Sequence, residues 1–378
     1  MKELSSTPLP RRLAAVALFA LVAAATVARL SAAPTDPNSP VRLGSNENPF
    51  GFSPKAKEAI LKYVESGNYY NRNDVDALVT ALAAKEGVSP DYIHATAGSG
   101  PMLEMTAAAL GKPGANIVTA APGYPQLTMA FEKWGGTIKY VKVGGKMGYD
   151  FKAVSLAIDE NTAAVYICNP NNPTGVLADT AELRKFILTA PQHVLIFVDE
   201  AYLELAKAPL ATTTAAPLVK LRKNLIVSRT FSKAYGLAGF RIGYGIGHPD
   251  TLAKVAKHDI GASPSYLAAI AAREAVLDQA TLQQNVKKYQ EVRDYVLKEF
   301  DRMGLSYAEP SGAFILFKAG IDSAEFQKKM LDQKIMVQRP FGVGPLEQEY
   351  KDWVRVSIGT KEDMDLFLGA TMKILGKT

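Results

Sequence analysis

The chain has 378 residues, 48% of them hydrophobic, and a formal net charge of +6 with basic and acidic residues interspersed. That is long enough for one large core plus a smaller domain, and the mild basicity argues for an anionic small molecule rather than for nucleic acid. The single cysteine, Cys168, excludes an intrachain disulfide, and His94, His193, His248 and His258 stand far apart with no Cys or paired carboxylate at ligand spacing, which argues against a metal site.

The first segment, PRRLAAVALFALVAAATVARLSAAP, has Arg11-Arg12, an apolar run from Leu13 to Ala28, then small residues. A basic start, an apolar middle and a small-residue end are the layout of an export signal, read here as residues 1–33. The apolar run is short for a membrane span. The arginine pair points to the twin-arginine route and a periplasmic or exported protein. Pro34 disfavours cleavage after Ser31-Ala32-Ala33, so an uncleaved anchor or a mis-assigned start with a cytoplasmic protein stands as the alternative. TDPNSP (35–40) then leads into an N-terminal arm, 34–67, assigned partly to the smaller domain.

From there helical and strand patterns alternate. KAKEAILKYVES (55–66) and DVDALVTALAAKEG (74–87) read as helices. NIVTAAP (116–122), TAAVYICNP (162–170), HVLIFVDEA (193–201) and KNLIVSRT (223–230) read as strands, with helices PQLTMAFEKWG and TAELRKFILT among them. Short apolar runs alternating with helices predict an α/β fold, a mostly parallel sheet covered by helices. This is the large domain, 68–255. After it, long helical runs lead to strand AFILFK (313–318), a helix over 323–333, and strands IMVQ and WVRVSIG (353–359), a smaller α+β domain over 256–378.

In such a sheet ligands bind at the carboxyl ends of the strands. AGSGPMLEM (97–105) is a Gly-Ser-Gly turn opening a helix, whose free N–H groups suit a phosphate. NPNNPTG (169–175) sets polar amides at a strand end. VDEAY (198–202) ends a buried strand with Asp199, an acid that needs a partner there, and Tyr202 follows. SRTFSKAYGLAGFRIGYG (228–245) sets Lys233 behind hydroxyls and follows it with glycines and Arg241. Taken singly these are a turn former, a capping acid, a core tyrosine and a surface lysine. GYGIG lacks the strand–loop–helix setting of a dinucleotide site.

In order and together, these motifs resemble the pyridoxal-phosphate enzymes of the aspartate aminotransferase fold (fold type I, class I/II), and within them the histidinol-phosphate aminotransferase family. SNENPFGFSP (45–54), NNPTG, DEAY, TFSK and LAGFRIGYG carry the resemblance, which runs from Arg42 to the C-terminus. It implies a large domain with a seven-stranded, mostly parallel sheet and a smaller domain. It implies pyridoxal 5'-phosphate as cofactor, with Lys233 condensing with the aldehyde and then moving the proton at substrate Cα. Asp199 keeps the ring nitrogen protonated, Asn172 and Tyr202 hold the ring oxygen, and Tyr124 covers the ring face. Ser99, Gly100, Thr230 or Ser232, and Arg241 hold the phosphate, and the glycines after Lys233 let the backbone approach the cofactor. Arg355 grips the substrate's acidic group, and Asn48, Asn172 and Arg339 join it on the substrate. Tyr70, with Tyr69 as rival, reaches the cofactor phosphate of the other subunit, so the resemblance implies a homodimer with shared sites.

Three features depart from the family pattern. IMVQRPFGVG puts Gln338 where the family writes an arginine, with Arg339 one residue later. A one-residue shift turns a strand side chain to the opposite face, so either a bulge returns Arg339 to the site or the second anion site is altered. The phosphate turn reads GSGP rather than Gly-Ser and an acid pair, and an export signal precedes the body. The expectation is an aminotransferase working by a ping-pong mechanism between an amino donor, histidinol-phosphate-like or aromatic, and a 2-oxo acid such as 2-oxoglutarate. A lyase or decarboxylase on the same scaffold, or a cofactor-binding regulator, are the alternatives; residues 1–40 hold no DNA-binding helical module.

Overall fold

Strands buried on both faces need apolar side chains on both, and three adjacent runs of this chain have them. They form the centre of the computed structural model, which describes residues 39–70, 72–261 and 263–377. The expected export signal lies outside the described residues, as does most of the linker after it. In chain order the strands are β1 (Val41–Arg42), β2 (Ile93–Thr96), β3 (Asn116–Ala121), β4 (Thr137–Lys142), β5 (Thr162–Cys168) and β6 (Leu195–Asp199). β7 (Leu225–Thr230), β8 (Gly243–Gly247), β9 (Phe314–Lys318), β10 (Ile335–Met336) and β11 (Trp353–Ser357) follow.

Seven strands make one sheet in the order β2-β8-β7-β6-β5-β3-β4. All neighbours in it are parallel except β8, which runs antiparallel to both β7 and β2. β5, β6 and β7 sit at its middle, and nearly every residue in them is buried. Their carboxyl ends therefore deliver Cys168, Asp199 and Thr230 to one edge, where the loops that follow converge.

β8 was not expected as a strand. Its glycines are required by crowding. A Cβ on Gly243 would stand 2.5 Å from the backbone nitrogen of Ser99, and one on Gly245 would stand 2.6 Å from Met102. Gly243 and Gly245 thus make room for the Ser99 turn and the helix behind it.

The remaining strands form two small ladders. β9 pairs antiparallel with β11, and β1 pairs parallel with β10, so the N-terminal arm joins the C-terminal part of the chain. Helix Tyr266–Leu277, by contrast, packs on helices Pro54–Tyr63 and Arg72–Glu86. Val41–Thr378 form one compact unit by their contacts. The long helical run after residue 264 is two helices, broken at Asp278, whose carboxylate caps the second by accepting from Thr281 N and also accepts from Ser53 Oγ at 2.6 Å. No helix of the described residues is long and apolar enough to cross a membrane.

Side chains alternate along β7. Ser228 and Thr230 point to the converging loops, while Arg229, 1% exposed, points the other way into a buried ionic cluster. Its Nη2 lies 3.0 Å from Glu200 Oε2, its Nη1 3.2 Å from Glu86 Oε1, and Nη2 also donates to Thr214 Oγ1 at 2.7 Å. Glu200 Oε1 accepts from Ala215 N at 2.6 Å. The cluster ties β7, the β6 turn and helix Arg72–Glu86 together. Breaking such a cluster leaves Glu200 buried without a counter-charge, while Glu86 keeps Lys85 at 2.6 Å, so Arg229→Met is expected to cost about 3–5 kcal/mol. Urea denaturation of the two proteins measures this; a loss under about 1 kcal/mol would show the cluster to be energetically neutral.

Candidate active site

A cavity of about 600 Å³ opens at the carboxyl ends of the central strands. Asp199 forms its floor. It ends β6 at 2% exposure and accepts from Ser228 Oγ at 3.0 Å and Tyr166 OH at 3.3 Å. Burial drives its carboxyl up to about 6, against the pull of those two hydroxyls. Asp199 forms no ion pair with another side chain among the described residues, so the floor holds a carboxylate without a cation.

Lys233 follows β7 on a loop that Asn48 fastens by donating to the carbonyls of Lys233 and Ala234 at 3.1 and 3.0 Å. Its Nζ reaches into the cavity and donates to Ser45 O at 3.1 Å. Burial first, and the positive charge of Arg355 next, lower the amine to about 8. Tyr202 stands 5.7 Å from that amine, ring centroid to Nζ. Its hydroxyl accepts from Asn172 Nδ2 at 3.2 Å and Asn46 Nδ2 at 3.1 Å, and burial holds its pKa above the ordinary phenol value. Tyr124 lines the wall and donates to Gln126 Oε1 at 3.0 Å; burial raises it to about 12.

One end of the cavity is built to receive an anion. Arg241 takes a left-handed backbone conformation, φ 54°, which is uncommon for a residue with a side chain. Its guanidinium donates to Ser232 Oγ at 3.3 Å and lies so close to Gly98 that a Cβ there would stand 2.3 Å from Nη2. Thr230 Oγ1 bonds Ser232 Oγ at 3.0 Å, and Ser99 and Gly100 open helix Gly100–Leu110 beside them. Free N–H groups at a helix start, two hydroxyls and a guanidinium are the donor set a phosphate dianion needs.

The other end holds Arg355, 3% exposed. Its Nη1 donates to Asn172 Oδ1 at 2.8 Å and its Nη2 to Gly44 O at 2.5 Å, while Nε is buried with no partner among the described residues. Its guanidinium carbon stands 5.3 Å from the Phe314 ring centroid and 4.9 Å from that of Phe341. The loop carrying Phe341 is clasped to the loop carrying Tyr124: Gly123 N donates to Gly342 O at 3.0 Å, and a Cβ on Gly342 would overlap Gly123 O.

Two expected site residues are not brought here. Arg339 lines a separate cavity with Asp322, Ser323 and Glu347, and its Nε donates to Ser323 Oγ at 3.3 Å. No bulge rescues it: Gln338 and Arg355 form a regular antiparallel bridge, so Gln338 faces the site and Arg339 faces away. Asn48 holds the Lys233 loop from outside, and Asn46, in a left-handed conformation, takes the place in the cavity. Tyr70 is fully exposed at 103%, and neither it nor Tyr69 lines this chain's own cavity. Sequence reasoning missed Asn46, Gln126 and Phe341 as wall residues, and left Gln338 and Arg339 as alternatives for one place in the wall. Among the described residues no group of three or more His, Cys, Asp or Glu side chains could hold a metal ion.

The chemistry of these donors fits pyridoxal phosphate. The uncompensated Asp199 carboxylate suits a protonated ring nitrogen, the Arg241 end suits a phosphate, and a lysine amine lowered to about 8 suits capture of an aldehyde. Fold and site together define a pyridoxal-phosphate enzyme of fold type I. The sequence signature described as aminotransferase class I and II matches residues 38–370. Histidinol-phosphate aminotransferase 2 of Carboxydothermus hydrogenoformans is 34% identical, covering 88% of this chain and 91% of the relative. Histidinol-phosphate aminotransferase of Brevibacillus brevis is 35% identical, covering 89% and 90%. The crystal structure of histidinol-phosphate aminotransferase from Sinorhizobium meliloti, in complex with pyridoxal-5'-phosphate, superposes with a TM-score of 0.82 at 28% identity, covering 89% and 91%. The chain belongs to the class I and II aminotransferase family, and it is a pyridoxal-phosphate-dependent aminotransferase acting on small molecules.

Two outcomes follow from the charges. Because only the neutral amine attacks an aldehyde, the rate of cofactor capture by the cofactor-free protein should rise with pH and level off above about 8. Stopped-flow absorbance measures it; a flat profile from pH 6 to 9 would contradict the lowered amine. Asp199 carries a folded pKa above its unfolded value, so its ionisation costs stability above about pH 6 and ceases to as pH falls towards 4. Asp199→Asn should therefore stabilise the cofactor-free protein at pH 8, by on the order of 2 kcal/mol, with the gain shrinking at lower pH. The same variant should retain cofactor at least about tenfold more weakly, since a charged hydrogen bond is lost. Urea midpoints and equilibrium dialysis read the two effects.

Proposed function

We propose that the protein moves an amino group from a donor bearing an acidic group, histidinol phosphate or an aromatic amino acid, to a 2-oxo acid such as 2-oxoglutarate, by a ping-pong mechanism. The observation that carries this reading is one cavity with a reactive amine at its centre and a separate guanidinium at each end. Arg241 serves the cofactor and Arg355, with its unpartnered Nε, serves the substrate's acidic group.

When bound, pyridoxal phosphate supplies an aldehyde for amine exchange and an electron sink for the substrate Cα. Lys233 would hold the cofactor through its amine and, once free, would take and return the substrate Cα proton at Nζ, an amine that burial lowers to about 8. Asp199 holds a proton on the ring nitrogen, and its two hydroxyl donors fix which way it faces. Asn172 joins the two tasks: its amide nitrogen donates to Tyr202 and its oxygen orients Arg355. Tyr124 and Phe341 meet edge-on in the cavity wall, ring centroids 6.0 Å apart.

The exposed Tyr69-Tyr70 pair supports a homodimer in which Tyr70 completes the cofactor phosphate site of the neighbouring subunit. The Arg11-Arg12 start and apolar run support export of the protein, with the cytoplasm as the alternative.

A panel of donors tests the reaction. On the holoenzyme, histidinol phosphate, aromatic, acidic and basic amino acids are added without acceptor, and the cofactor spectrum is followed. A productive donor should convert the lysine-linked form to the amine form, with 2-oxoglutarate restoring it. Release of ammonia or carbon dioxide without that conversion would assign a lyase instead.

A further inference from the structure

Resting on the aminotransferase reading above, we infer that the donor's acidic group is a carboxylate rather than a phosphate monoester, and that Gln338 and Phe341 set this preference. Gln338 and Arg355 oppose each other in a hydrogen-bonded antiparallel pair, Arg355 N to Gln338 O at 2.8 Å and Gln338 N to Arg355 O at 3.0 Å. Such a pair puts both side chains on the same face, and both line the cavity. The neighbouring cation, Arg339, is turned to Ser323 and cannot contribute.

The acid-binding end therefore offers one positive charge. Lys233 and Arg241, the other two cations lining the cavity, are held at Ser45 O and at Ser232 with Ala238 O. Glu47 lines the same cavity and pairs with Arg42 at its rim, adding a carboxylate rather than a cation. Two of the three guanidinium nitrogens of Arg355 already donate to Asn172 and Gly44, and Nε is left over. A carboxylate brings one charge and two oxygens, which this guanidinium and the Gln338 amide match. A phosphate monoester brings about −1.5 to −2 charges near neutral pH and three oxygens. Its second charge would sit unpaired at a cavity end walled by Phe341, with the Phe314 ring packed behind Arg355, where an uncompensated charge is costly. The Phe341 ring, set edge-on to Tyr124, adds an apolar wall that suits an aromatic or bulky apolar donor side chain.

The test is binding of a matched, unreactive pair to the holoenzyme by calorimetry at pH 8: 3-phenylpropionate and 2-phenylethyl phosphate. The carboxylate should bind at least about tenfold tighter, and the phosphate ester should gain affinity as pH falls through about 6, where it becomes a monoanion. Gln338→Arg should shrink or reverse the preference by at least about tenfold, because it supplies a second cation to the second charge. Gln338→Lys serves the same purpose if the arginine variant loses cofactor. Tighter or equal binding of the phosphate ester by the natural protein, no binding of the carboxylate, or an unchanged ratio in both variants overturns the inference. Neither ligand can turn over, so this outcome is independent of the donor panel. A panel in which no donor changes the cofactor spectrum defeats the aminotransferase reading, whereas a spectral change with histidinol phosphate alone defeats only the carboxylate preference.

Discussion

A carboxylate at the buried end of a core strand, bonded by two hydroxyls and in no ion pair among the described residues, is the constraint around which the molecule is arranged. Asp199 is there because β6 ends there, and β6 is fixed by parallel pairing to β5 and β7 on both sides. The sheet cannot relax to expose it. Its charge is therefore kept at a cost that only a bound cationic partner removes. Ser228, one strand over, and Tyr166, on β5, hold the carboxylate's orientation, so the neighbouring strands support the group they bury.

The same alternation that turns Ser228 and Thr230 towards the cavity turns Arg229 away into the cluster with Glu200 and Glu86. Asp199 and Glu200 divide the two faces in the same manner, one carboxylate for chemistry and one for the fold. The chain thus pairs one carboxylate internally and leaves its neighbour for the ligand.

Polar residues that interrupt long apolar runs stood out in the sequence, because nothing but a site or a buried partner explains them there. Asp199 was legible on that ground, Asn172 and the Lys233 segment only through the order of motifs that carries the family resemblance, and the central strands from the runs themselves. β8 was not, since its glycines answer crowding from Ser99 and Met102, contacts made by residues over a hundred positions away. β2 and β4 are outer strands of mixed polarity, and β1 is two residues long, too short to show a period, whereas the IMVQ run had marked the place of β10. Asn46 and Phe341 sit on loops that only tertiary contacts carry to the cavity, and Asn46 adopts a backbone conformation its neighbours do not announce. The Gln338–Arg339 ambiguity was visible as a strand-parity question, and the regular bridge to Arg355 answered it.

The clasp between Gly123 and Gly342 couples two walls of the cavity that the chain sequence keeps far apart. Because it is a backbone bond with no room for a side chain, no rotamer change can loosen it, and it fixes the main-chain spacing of the loops that carry Tyr124 and Phe341. The spacing of these two cavity walls is thereby a property of two glycines that do not themselves line the cavity. Re-engineering the enzyme for bulkier amines would have to begin by unfastening that hinge, before any residue facing the guest is altered.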